Sequence, residues 1–217
     1  MPGTIAEEVL PRDTGGGPPP EPPGGDDGGD QHRPGVPRAP RAAYFTGLSL
    51  GLASILMFFM ALTSAFIVRK GLGGDWQPIQ LPRLLWFTTA VLLASSLTVE
   101  HARRRLANGD AFGFARWWNI TTLLGLLFLV GQFAAWMALS AQGVFLVSNP
   151  SSSFFYLLTA AHGLHLLGGI LALLYVGLRN WEGLDARRAT AADVTSVYWH
   201  FMDGLWVFLF ILLYLGL

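Results

Sequence analysis

Five apolar blocks follow one another from Tyr44 to Leu217, spanning Tyr44–Val68, Leu84–Val99, Trp117–Leu139, Phe154–Leu178 and Val197–Leu217. Each comes near the ~20 residues an α-helix needs to cross a ~30 Å hydrocarbon core. A chain in lipid must satisfy its own backbone hydrogen bonds, so such a succession folds as spanning helices. The expected fold is therefore all-α, a polytopic membrane bundle of five transmembrane helices over residues 44–217. Composition agrees, because only 13% of residues are charged, against about 25% in soluble domains. Local signals refine the spans. Pro82 fits the first turn of the second, and Ser151, Ser152 and Ser153 after Pro150 supply an N-cap for the fourth. Trp76, Trp86, Trp117, Trp118, Trp136, Trp181 and Trp199 fall near segment ends, as interface anchors do. Gly47 with Gly51, and the pair Gly168-Gly169, would allow close helix approach.

Residues 1–43 read as a disordered cytoplasmic tail, with ten prolines and nine glycines exceeding the roughly 25–30% Pro+Gly level of low-complexity segments. It has neither the basic start nor the apolar centre of a signal peptide. Net charge is zero, but the sum hides a segregation. With the N-terminus cytoplasmic, the inside regions hold Arg12, Arg33, Arg38, Arg41, Arg103, Arg104, Arg105, Arg116, Arg179, Arg187 and Arg188, and the outside regions Arg69, Lys70 and Arg83. Eleven against three favours N-in and C-out by the excess of basic residues in cytoplasmic loops.

Ionisable residues within the spans are few: His162 and His165 in the fourth, His200 and Asp203 in the fifth, with Glu100 and His101 at the inner end of the second. Glu100 precedes Arg103 and Arg104 at spacings three and four, which suits an ion pair at the inner interface, with a proton-handling role as the lesser alternative. His162 and His165 share a helical face, and imidazole is a common metal and haem ligand. One helix cannot place two axial ligands on opposite faces of a haem. A metal site shared with His200 and Asp203 fails on depth: at ~1.5 Å per residue, His162 and His200 lie about 14 Å apart along the membrane normal. His165 and Asp203 are the closest pair in depth. The reading is therefore a structural polar network between helices, formed by His162, His165, Tyr198, His200 and Asp203. No residue is assigned a catalytic, cofactor-binding or metal-binding role. The chain has no cysteine, which excludes disulfides, thiolate-bound copper and iron–sulfur clusters. No nucleic-acid signature is present. A transporter would want a path of polar residues or broken, repeated helices. Here the third span offers only Gln132, Thr121 and Thr122, and hydroxyls such as Ser49, Ser54, Thr63 and Ser64 suit bonding back to their own helices.

Two motifs carry a resemblance. Phe154-Phe155-Tyr156-Leu157-Leu158-Thr159-Ala160-Ala161-His162-Gly163-Leu164-His165 resembles the fourth-span signature of subunit III of the haem–copper oxidases. Tyr198-Trp199-His200-Phe201-Met202-Asp203, followed by Leu205-Trp206-Val207-Phe208-Leu209-Phe210, resembles that family's terminal helix. Ser54 with Met57-Phe58-Phe59, Thr98-Val99 and Gly131-Gln132 are further echoes, and the likeness covers about residues 44–217. It implies the five-span bacterial form of a subunit with no cofactor of its own. Haem and copper would sit in partner subunits, subunit I being the main contact and subunit II the other, with membrane phospholipid bound in a cleft. The implied setting is the bacterial plasma membrane and a terminal oxidase, read as a cytochrome c oxidase, whose assembly, proton uptake and turnover stability this chain supports. A quinol oxidase or nitric oxide reductase component is the alternative within the family. An independent membrane haem or metal protein, or a small transporter, is the alternative outside it. The chain departs from the family at Ile55, where many members carry glutamate, and at Ala135, where some do. Roles of those carboxylates do not transfer.

Overall fold

The computed structural model describes residues 41–74, 76–79, 81–179 and 186–217. The expected tail, residues 1–40 of it, and the expected anchor Trp181 lie outside the described residues. Five α-helices follow in order: α1 (Arg41–Gly71), α2 (Leu84–Ala107), α3 (Ala111–Ala141), α4 (Pro150–Leu178) and α5 (Ala186–Gly216). All five are long and apolar enough to cross a membrane. The helices overrun the apolar blocks, because hydropathy marks only the part that fits lipid. The overhang is largest at the start of α5, which begins eleven residues before Val197.

Caps set several of these ends. The Asp110 side chain accepts the Gly113 N–H at 2.7 Å and closes the start of α3. At α4 the cap is Asn149 and not one of the serines. Its side chain accepts the Ser152 N–H at 2.8 Å, while the Ser152 hydroxyl receives the Asn149 N–H at 3.2 Å. Pro150 explains the shift: its fixed φ and missing N–H suit the first helical position, which leaves the preceding residue as cap. Before α2, the Pro82 carbonyl accepts the Leu85 N–H at 3.0 Å, so Pro82 belongs to the turn that leads into the helix.

Helices α2, α3, α4 and α5 form a closed cycle of neighbours, α2 on α3, α3 on α4, α4 on α5 and α5 on α2. Helix α1 lies outside the cycle against α4 and α5. Trp118, Trp199, Trp206, Phe128 and Phe155 are fully buried within the bundle. Two of the expected anchors, Trp118 and Trp199, are thus core residues. The Trp118 indole donates to the Leu173 carbonyl at 2.8 Å. Trp86, by contrast, is 57% exposed. A methyl group placed on Gly47 or Gly51 would meet nothing within 4 Å, so both glycines face outward and neither seats a neighbouring helix of this chain.

Candidate functional site

The polar face of α5 meets its neighbours at three levels. At the lowest, the Trp199 indole N–H donates to the Ser95 hydroxyl of α2 at 2.9 Å, and the ring lies against α3 and α4. It fits because Gly125 and Gly169 carry no side chain there. A Cβ on Gly125 would stand 2.6 Å from the Trp199 ring, and one on Gly169 would stand 3.0 Å from the Tyr198 ring. Small residues let helices approach closely, and here they make room for an indole. On the same level the Tyr198 hydroxyl donates to the His165 carbonyl at 2.8 Å.

One step along, His200 Nδ1 shares a 2.6 Å hydrogen bond with the Ser96 hydroxyl of α2. Asp203 is 3% exposed. Neither of its carboxylate oxygens meets hydrogen-bond geometry with any described group. At the third level the Trp206 indole donates to the Thr89 hydroxyl at 3.0 Å. The Trp206 ring packs on His162, centroids 4.9 Å apart, and edge-on to Phe128 at 4.9 Å.

The five residues expected to form one network are therefore placed differently. Tyr198 and His165 meet through a backbone carbonyl, and His200 bonds α2. His162 is fully buried against Trp206, and neither ring nitrogen is hydrogen-bonded among the described residues. His162 meets Trp206 rather than His200, six residues earlier, or about 9 Å along the axis by helical rise. His165 and Asp203, level by counting, do not pair: the His165 Nδ1 bonds the Ala161 carbonyl at 2.7 Å and its ring lies by Phe59 of α1. Among the described residues no three histidine, aspartate or glutamate side chains converge as metal donors. Gln132 is 3% exposed, with both amide atoms unbonded among the described residues. The expected back-bonding of hydroxyls holds for Ser49, Thr121 and Thr122 but not for Thr63, whose hydroxyl finds no acceptor among the described residues.

Charges gather at the end of the bundle that carries the α2–α3 turn. Glu100 accepts from Arg103 and Arg104, both at 3.0 Å. Arg103 also reaches Asp193 of α5 at 3.1 Å, and Asp193 pairs with Arg41 of α1 at 2.5 Å. Glu100, Arg103 and Arg104 are spaced for this in the sequence, whereas Asp193 joins them only because α1, α2 and α5 meet. Proximity of the α5 start to α2 had no local signal. At the opposite end, the Ile79 N–H donates to the Leu217 carbonyl at 3.2 Å and the Ser151 hydroxyl to the Gln77 carbonyl at 2.5 Å. These bonds tie the α1–α2 loop to the ends of α4 and α5. An open cleft of about 720 Å³ lies there between α1 and α4, lined by Ala65, Val68, Leu72, Val147, Pro150 and Phe154 among others.

Residues 39–216 match the family model described as cytochrome c oxidase subunit III. A protein named probable cytochrome c oxidase subunit 3 from Mycobacterium tuberculosis is 38% identical over 173 residues, covering 77% of this chain and 85% of its own length. The cytochrome c oxidase subunit 3 of Corynebacterium diphtheriae is 36% identical over 176 residues, 77% of this chain and 85% of that one. The protein of the same name from a Synechocystis species is 31% identical over 175 residues, 78% and 74% of the two chains.

Proposed function

The chain belongs to the cytochrome c oxidase subunit III family, and from that premise we propose that it is the non-redox third subunit of a bacterial haem–copper terminal oxidase. The observation that carries the reading is the family match over residues 39–216, which takes in all five spanning helices. In this role the chain packs mainly beside subunit I, with subunit II as the other partner, and supports assembly, proton uptake and durable turnover. Haem and copper belong to those partners, and no step of oxygen reduction passes through this chain. The geometry supports that division of labour. Four side chains of α5 are hydrogen-bonded to neighbouring helices: Tyr198 to α4, and Trp199, His200 and Trp206 to α2. We read His162, His165, Tyr198, His200 and Asp203 as structural residues that fix helix against helix.

The protein is a multi-pass membrane protein, and its place is the bacterial plasma membrane with the N-terminus cytoplasmic. The cluster of Arg41, Arg103, Arg104, Glu100 and Asp193 then lies at the cytoplasmic interface, where basic residues accumulate. The cleft between α1 and α4, open to the side and lined by Arg69, Ser148, Asn149 and Ser153 beside its apolar residues, is of a size that suits a phospholipid. The test is co-purification. After gentle solubilisation, material pulled down on this chain should contain a haem-bearing partner, identified by mass and by absorption spectrum. Recovery of the chain without any haem protein, from membranes that contain an active oxidase, would overturn the assignment.

A further inference from the structure

We propose that the turn between α3 and α4 docks in lipid, with Phe145, Leu146 and Val147 among the acyl chains of one leaflet. The hydroxyls of Ser148, Ser153 and Tyr156 bond the backbone there in place of water. The inference begins with apolar side chains at a loop tip: Phe145 is 58% exposed, Leu146 53% and Val147 89%. Contiguous exposed apolar residues mark a surface that something else covers. Charge narrows what that is. Between Arg116 and Arg179 the sequence contains no aspartate, glutamate, lysine or arginine. The whole α3–turn–α4 hairpin therefore offers a protein partner no ionic group by which to steer or orient its docking. The α1–α2 connection, at the same end of the bundle, carries Asp75 and Arg83.

The backbone of the turn supplies the second observation. Acyl chains cannot hydrogen-bond, so a peptide among them must satisfy its own polar groups. The Gln142 and Val144 N–H groups donate to the Leu139 carbonyl at 3.1 Å, and the Gly143 N–H donates to the Ser140 carbonyl at 3.0 Å. The Phe145 N–H donates to the Ser148 hydroxyl at 2.9 Å, and the Ser148 N–H to the Phe145 carbonyl at 3.1 Å. From the first two turns of α4, the Tyr156 hydroxyl donates to the Val144 carbonyl at 2.9 Å and the Ser153 hydroxyl to the Leu146 carbonyl at 2.6 Å. The N–H groups of Leu146 and Val147 reach no acceptor among the described residues. That sets the depth: the peptide lies level with the lipid ester carbonyls, which accept such bonds, while the side chains reach among the acyl chains. The exposed apolar faces of both helices run into the tip, through Phe133 and Met137 of α3 and Leu157 of α4. Val147 also lines the cleft that opens beside α1. The proposal rests on the chain spanning a membrane, and not on which complex it joins or which end is cytoplasmic.

The chain has no cysteine, so a nitroxide attached to V147C reports from one site. Power-saturation EPR of the full chain in phospholipid vesicles reads its access to oxygen, which concentrates among acyl chains, and to a water-soluble nickel chelate. The reference is a nitroxide on Q77C, an exposed position at the same end of the bundle. The V147C label should be several-fold more accessible to oxygen than the reference and several-fold less accessible to nickel. Nickel access equal to that of Q77C would put the tip in water and overturn the proposal. The same pattern should persist when the labelled chain is assembled with its partner subunits. A rigid label shielded there from both reagents would show that a protein covers the tip, which overturns the proposal as well. Added to V147C, S153A and Y156F free a backbone carbonyl each and should raise nickel access several-fold. No rise in either would contradict the role given to the hydroxyls.

Discussion

Helix α1 holds the most apolar membrane-spanning stretch of the five and that stretch is the least buried, while the corresponding stretch of α5 is less apolar and the most buried. In their most apolar stretches, 17% of α1 residues are buried against 50% of α5. In water that ordering would be perverse. In a bilayer lipid tails are as apolar as leucine, so apolarity gives no reason to leave lipid for another helix. Shape and hydrogen bonding decide instead. Helix α5 buries Trp199 and Trp206, each with its indole N–H bonded to α2. Helix α1 buries only Phe59, Thr63 and Phe66. It is also tied to α5 by the ion pair of Arg41 with Asp193 and by the Lys70 ammonium, which donates to the Leu215 carbonyl at 3.3 Å.

Substitutions that attack this contrast should fall in a clear order. Gly125→Leu should do most damage, because even its Cβ would stand 2.6 Å from the Trp199 ring. Overpacking of that kind costs about 1–3 kcal/mol or more, and thermal denaturation in detergent should show a clear fall in stability; an unchanged midpoint would mean that α3 and α5 are not so close. Trp206→Phe keeps an aromatic ring against His162 and Phe128 but removes the bond to Thr89. Interhelical hydrogen bonds of this sort are worth about 0.6–1.7 kcal/mol, and a loss in that range is expected by the same assay. Asp193→Asn cuts α1 from the charged cluster. The pairs are partly exposed, so the expected loss is only about 0.2–1 kcal/mol, and it should shrink as salt is raised. Gly47→Ala with Gly51→Ala should change the isolated chain by less than about 0.5 kcal/mol, since both positions are open. The same pair destabilising the oxidase complex, but not the chain alone, would show that this face of α1 meets a partner.

Much of this was readable from the residues. Block lengths gave five spans, and the spacing of Glu100, Arg103 and Arg104 gave their contacts. The cap at Asn149 was readable too, because an asparagine before Pro150 is a helix start signal, although the serines that follow are residues of the same capping class. What could not be read was direction around each helix. Helices α1 and α3 have no clear apolar stripe, so nothing distinguishes a lipid-facing glycine such as Gly47 from a packed one such as Gly125. The same ambiguity placed Trp118 and Trp199 at the membrane surface when they belong in the core. Asp193 lies ninety residues from Arg103 and 152 from Arg41. Its partners depend on which helices are neighbours, and that is a property of the whole bundle.

The central claim is that the polar face of α5 fastens helices and holds no redox group. Haem and metal analysis of this chain, purified alone and folded in lipid, tests it most directly. The expected result is a colourless protein without stoichiometric haem, copper or iron, with a haem spectrum appearing only when its partner subunits co-purify. One equivalent of haem or metal retained by the chain alone, and lost in a His162→Phe or His200→Phe variant, would contradict it.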